Sequence, residues 1–215
     1  MPRAPTQAFS MSDFSSCAQA IAEHARELAA RGWMPATSGN FSMRVDDGHA
    51  AITISGRDKS RLGPDDVMLV DLQGRPVGST ARPSAETGLH TQLYRLWPQV
   101  NAVLHTHSRA QSVASRLFAR EGVVRLAGWE LQKAITGFHS HDSVLEIPVF
   151  PNTQHMPELE SRVAAWLDDG RPLHAYLIDG HGLYAWGRDM AEARRHLEAL
   201  DFLLGCELDL RRLST

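Results

Sequence analysis

Apolar positions recur along the chain in two periods. Over residues 12–31, Ile21, Ala22, Ala25, Leu28 and Ala29 repeat with helical spacing behind Ser12 or Asp13 as cap, and Gly32 stops the run. Short runs with strand character follow at Asn40 to Val45, Ala51 to Ser55 and Val67 to Asp71, the last turning at Gln73-Gly74. Pro83-Ser84 opens a second helix, with Leu89, Leu93 and Leu96 on its buried side, and Pro98 ends it after Trp97. A strand spans 100–107, a short helix runs from Arg109 to Phe118, and a strand covers Val123 to Leu126. The pattern then predicts a helix at Glu130 to Thr136, a strand at Val144 to Phe150 and a helix at Pro157 to Leu167. Ala175 to Asp179 and Leu183 to Trp186 form a tight hairpin around Gly180-His181-Gly182, before a long closing helix from Asp189 to Leu210. Several strands are joined too tightly for helical crossovers, so the expected fold is α/β with a largely antiparallel sheet flanked by helices. Residues 1–11 read as a disordered lead-in, and 12–215 as one domain without repeats or linkers.

The remaining numbers narrow the class. The chain has 215 residues, 43% hydrophobic and 22% charged, which is ample for a core. With 22 basic and 25 acidic residues the net charge is -3, and neither nucleic acid nor an anionic membrane has an electrostatic claim on it. No apolar run approaches the roughly 20 residues of a membrane span. Cys17 and Cys206 lie far apart, each in a helical pattern and neither in a Cys-x-x-Cys pair, as suits incidental thiols of a cytoplasmic protein.

The histidines carry the chemistry. In Val103-Leu104-His105-Thr106-His107-Ser108, a strand turns both imidazoles to one face about 7 Å apart at Cα, a spacing that suits two ligands of one metal ion. His181, between two glycines that permit a sharp bend, is the natural third ligand. Half-buried strand histidines bonded to neighbours would leave the same pattern, so both readings stand on the residues alone. A second pair with the same spacing, His139 and His141, lies in a polar, glycine-flanked loop. His24, His49, His155, His174 and His196 read as surface or helix residues, and His90 follows Glu86 by one helical turn.

Two carboxylates are candidates for acid/base work. Glu86 falls close to a helix N-terminus, which by itself accounts for an acid there. Glu130 stands beside Trp129 in an apolar segment, where burial would raise its pKa. Thr37-Ser38-Gly39-Asn40, Ser55-Gly56-Arg57-Asp58-Lys59-Ser60 and Pro83-Ser84-Ala85 are small, polar segments beside strands or a helix start. They offer backbone N–H groups, hydroxyls and a cation to a phosphate.

Taken in order, Ser38-Gly39-Asn40, Ser55-Gly56, Pro83-Ser84-Ala85-Glu86, His105-Thr106-His107 and Gly180-His181-Gly182-Leu183 resemble the class II aldolase/adducin family over about residues 12 to 210. The resemblance implies a three-layer αβα architecture and one divalent metal per subunit, usually zinc, on His105, His107 and His181. It also implies a small phosphorylated ketose as substrate, held through Ser38, Gly39, Asn40, Ser55, Gly56, Lys59 and Ser84, and a homotetramer with active sites near subunit interfaces. Trp129-Glu130-Leu131-Gln132-Lys133-Ala134 and His181 to Gly187 are similar to the dehydrating members, in which a glutamate placed like Glu130 is the implied acid/base. The aldolases use one placed like Glu86, and some recruit a C-terminal tyrosine; this chain has none after Tyr184. Trp129 and Phe118 are the candidates for an apolar wall. Aldol cleavage, epimerisation and a non-catalytic adducin-like role are the alternatives.

Overall fold

The computed structural model describes residues 11–167 and 173–214. Of the lead-in expected at residues 1–11, the first ten lie outside the described residues, whereas Met11 already belongs to the first helix. The elements in chain order are α1 (Met11–Ala30), β1 (Asn40–Arg44), β2 (His49–Thr53), β3 (Val67–Asp71), α2 (Thr87–Leu96), β4 (Ala102–Thr106), α3 (Arg109–Leu117) and β5 (Val123–Leu126). They continue with β6 (Leu145–Phe150), α4 (Met156–Leu167), β7 (Ala175–Ile178), β8 (Leu183–Gly187) and α5 (Met190–Leu213).

The eight strands form one sheet in the order β3-β2-β1-β4-β8-β7-β6-β5. Every neighbouring pair is antiparallel except β6 and β7. Strand alternation sends two sets of side chains to opposite faces. Phe41, Leu104, Leu177 and Ala185 pack under α1, α3 and α5 with Ile21, Leu28, Ala114 and Leu197. Ile52, Val103, Tyr176, Tyr184 and Trp186 pack under α2 and α4 with Leu89, Leu93, Leu159 and Val163. The fold is therefore the αβα sandwich, with β4 and β8 at its centre. Among the described residues, no helix is long and apolar enough to cross a membrane.

Three expectations are corrected. Ser12 and Asp13 do not cap α1; they lie inside it. The second helix starts at Thr87 and not at Pro83-Ser84, because Pro83 bridges to Ile54 and the Ser55 N–H donates to the Arg82 carbonyl. That pairing ties the segment to the sheet and leaves Glu86 at the N-cap position. The element at Glu130 is a 3₁₀ turn, Glu130–Ala134. The buried Gln132 side chain accepts from the Trp129 N–H and donates to the Ser143 carbonyl, a loop anchorage that replaces helix propagation.

Candidate active site

Strand pairing delivers the first histidine of the candidate site. His105 sits opposite Asn40 of β1 and Tyr184 of β8 and is fully buried. β4 ends at Thr106, so His107 lies just past the strand, where its N–H donates to the Trp33 carbonyl at 2.8 Å. His181 is at the tip of the β7–β8 hairpin, with its carbonyl held by the Ser112 hydroxyl at 2.9 Å. Two glycines make this proximity possible. A Cβ on Gly182 would lie 2.1 Å from the Thr106 carbonyl oxygen. A Cβ on Gly39, whose φ is +75°, would lie 2.8 Å from that of His105.

The three rings converge. Their centroids are 4.5 to 4.9 Å apart, and the ligand atoms all lie within 4.8 Å of one another. Among the described residues this is the one group of three or more metal-ligating side chains. His105 Nδ1 lies 3.0 Å from the Leu183 carbonyl, which can only accept, so the proton is on Nδ1 and Nε2 carries an unprotonated lone pair. Burial, reinforced by the neighbouring His107 and His181, pushes the His105 pKa well below its ordinary value. Burial and then His181 bring His107 down to about 4. Both rings are thus neutral at physiological pH, the form a metal requires. Their Nε2 atoms are only 2.7 Å apart, and His181 Nδ1 is buried with no hydrogen-bond partner. Three imidazoles converging in this way fit a divalent ion of the zinc type.

Glu86 closes the group. Its Oε1 lies 3.2 Å from His181 Nε2 and its Oε2 3.5 Å from His105 Nε2. Oε2 also accepts from Asn40 Nδ2 at 2.7 Å and from the Tyr184 hydroxyl at 2.8 Å. Burial raises the pKa of Tyr184 well above its ordinary value, with Glu86 adding to the effect, so the phenol keeps its proton.

A cavity of about 210 Å³ opens beside these groups, lined by His107, His181, Glu86, Ser38, Gly39, Asn40, Ser55, Gly56, Lys59 and Ser84 among others. The three expected polar segments therefore meet in one place. Lys59 is only 2% exposed, and its ammonium donates to the Thr37 and Arg57 carbonyls, tying two of the segments together. Burial lowers its pKa, opposed by Asp58 and Asp66. The Ser38 hydroxyl is buried without a partner.

Other expected residues lie elsewhere. The Glu130 side chain is 72% exposed, pairs with Lys133 and His141, and does not line this cavity. His139 and His141 are exposed and join no ligand cluster. Phe118 is core, with Arg211 over its ring, and Trp129 packs against the same core. His196 is no surface residue: it is fully buried, its Nδ1 donates to the Trp186 carbonyl, and its Nε2 accepts from the Thr136 N–H. Sequence reading set His90 one helical turn from Glu86 but missed Tyr184, Ser42 and Tyr94 as their companions. Period-2 alternation in β1, β4 and β8 was the available signal, since it places Asn40, Ser42, His105 and Tyr184 on one face.

A largely antiparallel central sheet with a histidine triad at its midline and a carboxylate beside it forms a scaffold that can hold a metal ion. The chain belongs to the class II aldolase and adducin N-terminal domain family, whose pattern it matches over residues 19–208. It is 58% identical over 210 residues to a Stenotrophomonas maltophilia protein named methylthioribulose-1-phosphate dehydratase, covering 98% of each chain. It is 57% identical over 207 residues to a protein of the same name from Xanthomonas campestris pv. campestris, covering 96% of this chain and 95% of the other. Among solved structures, L-fuculose-1-phosphate aldolase from Thermus thermophilus superposes with a TM-score of 0.72 at 28% identity, covering 94% of this chain and 96% of that one.

Proposed function

We propose that the protein is a zinc-dependent hydro-lyase that removes water from 5-methylthioribulose 1-phosphate, giving 2,3-diketo-5-methylthiopentyl 1-phosphate, a cytoplasmic step of methionine salvage. The observation that carries the reading is the meeting of the histidine triad and the Glu86 carboxylate beside a cavity that His107, His181 and Glu86 line together with the three polar segments. The names of the two relatives at 57% and 58% identity support dehydration over aldol cleavage.

His105, His107 and His181 would hold one zinc ion per subunit, which would supply Lewis acidity to the reaction. Ser38, Gly39, Ser55, Gly56 and Ser84 hold the phosphate through hydroxyls and backbone N–H groups. Lys59, with hydrogen bonds committed to carbonyls, contributes its charge. Asn40 joins through its backbone, since its amide is committed to Glu86 and His90. The reaction breaks C3–H and C4–O, forms C3=C4, and the resulting enol ketonises. Glu86 takes the C3 proton on Oε1. A second acid must protonate the departing C4 hydroxyl. Glu130 fills that role in a homotetramer, where its exposed carboxyl group gives the proton in the cavity of a neighbouring subunit.

The test is incubation of purified, metal-analysed protein with 5-methylthioribulose 1-phosphate, following the diketone, beside an assay for dihydroxyacetone phosphate from fuculose 1-phosphate. Diketone without triose phosphate is the expected result. Triose phosphate, or no reaction despite bound metal, refutes the dehydratase and favours cleavage or epimerisation.

A further inference from the structure

Behind Glu86 a line of polar side chains runs into the α2-facing core. Asn40 Nδ2 is 2.7 Å from Glu86 Oε2, and Asn40 Oδ1 is 2.5 Å from His90 Nε2. His90 Nδ1 is 2.7 Å from the Ser42 hydroxyl, which is 2.7 Å from that of Tyr94. Ser42 and His90 are fully buried, Tyr94 is 1% exposed and Asn40 6%. Apolar residues would fill such positions more cheaply, so a continuous polar line at this depth calls for a reason.

We infer that Tyr94, Ser42 and His90 form a one-way hydrogen-bond chain that, through Asn40, fixes the orientation of the Glu86 carboxylate, and that His90 is a positioning residue of the site. Direction follows from the acceptor at its end. The Asn40 amide gives its NH₂ to Glu86 Oε2 and so turns its oxygen to His90. His90 then donates from Nε2. Burial drops its pKa to about 4, so the ring carries one proton and Nδ1 is bare. Ser42 must give its hydroxyl proton to Nδ1 and accept the Tyr94 proton on its oxygen. Every donor is spent in one direction.

The consequence at the cavity is asymmetric. Oε2 is pinned by two donors, Asn40 and Tyr184, while Oε1 accepts from neither and stands 3.2 Å from His181 Nε2. The chain thereby selects Oε1 as the working oxygen. The role in turnover rests on the function proposed above, whereas the direction of the chain does not.

Two measurements test this. Long-range ¹⁵N–¹H correlation spectra of the wild-type protein at pH 7.5, metal-free and zinc-loaded, read the His90 tautomer. A single Nε2–H form in both is expected; an Nδ1–H form, or a doubly protonated ring, overturns the chain whatever the substrate proves to be. In the second, His90→Leu removes the donor, and His90→Gln returns an N–H at the Nε2 position. The Leu variant should keep stoichiometric zinc and its KM while kcat falls about tenfold or more, as expected for losing a buried hydrogen bond in a charge-terminated chain, and Gln should recover most of it. Wild-type kcat in the Leu variant, or a folded Gln variant no better than Leu, overturns the positioning role. Lack of activity in the wild type would refute the proposed reaction and leave the tautomer result standing.

Discussion

Gly182→Ala is the sharpest perturbation of the metal site, because it adds one methyl group and alters no ligand. The new Cβ would lie 2.1 Å from the Thr106 carbonyl oxygen and 3.1 Å from His105 Cε1. Ordinary contact begins near 3.4 Å, so the oxygen and the methyl must separate by 1.3 Å. The obstruction is backbone, at the Thr106–Leu183 pairing of β4 and β8, and cannot rotate away. Opening that pairing by about 1 Å takes the 3.0 Å bond from His105 Nδ1 to the Leu183 carbonyl beyond hydrogen-bond range. Overpacking of this kind costs about 1–3 kcal/mol. For a chain of this size that lowers Tm by about 2–12 °C. Freeing the ring of a metal-ligating histidine costs about 10- to 100-fold in affinity. Thermal unfolding of the metal-free protein gives the first number, and zinc titration against a competing chelator gives the second. Gly205→Ala is the control, since its new methyl meets only Ala110, at 4.0 Å, inside α5. A Gly182→Ala protein with unchanged Tm and zinc affinity would refute the claim that this close approach builds the site.

Three further outcomes are expected. His107→Ala should lose both bound metal and activity, and retained stoichiometric zinc, measured by atomic emission, would remove His107 from the ligand set. Glu130→Gln should keep its zinc and lose about 10²–10⁴-fold in turnover. Mixing it with His107→Ala subunits should restore activity in hybrids, while hybrids as inactive as the parents would exclude action across subunits. Acid should destabilise the metal-free protein early. His90, His107 and His196 fold with pKa values near 4, lowered chiefly by burial, against about 6.5 when unfolded. The unfolded chain then binds more protons throughout that interval, so stability falls as pH drops from about 6.5 to about 4. Equal urea midpoints at pH 7.5 and 5.0 would contradict it.

Local pattern determined much of this protein by itself. The two hydrophobic periods located the strands and most helices, because side-chain direction alternates every residue in a strand and repeats every 3.6 in a helix, and each face must choose core or solvent. His105 and His107 were legible as a candidate pair because their separation is only two residues, and His181 as a candidate third because two glycines mark a backbone bent for close approach. Proximity across the sequence was another matter. Which oxygen of Glu86 is pinned, and by Asn40 from 46 residues away and Tyr184 from 98, depends on the register of β1 against β4 and of β4 against β8. His90 and His196 look alike in sequence to any helical histidine, yet one ends beneath Asn40 and the other beneath Trp186, because burial is set by the element packed on top. Glu130 shows the reverse: an apolar neighbourhood in sequence gave an exposed carboxylate, since Gln132 turned inward and the 3₁₀ turn sent Glu130 out. Periodicity fixes the direction of a side chain relative to its own backbone; only tertiary packing decides what stands opposite.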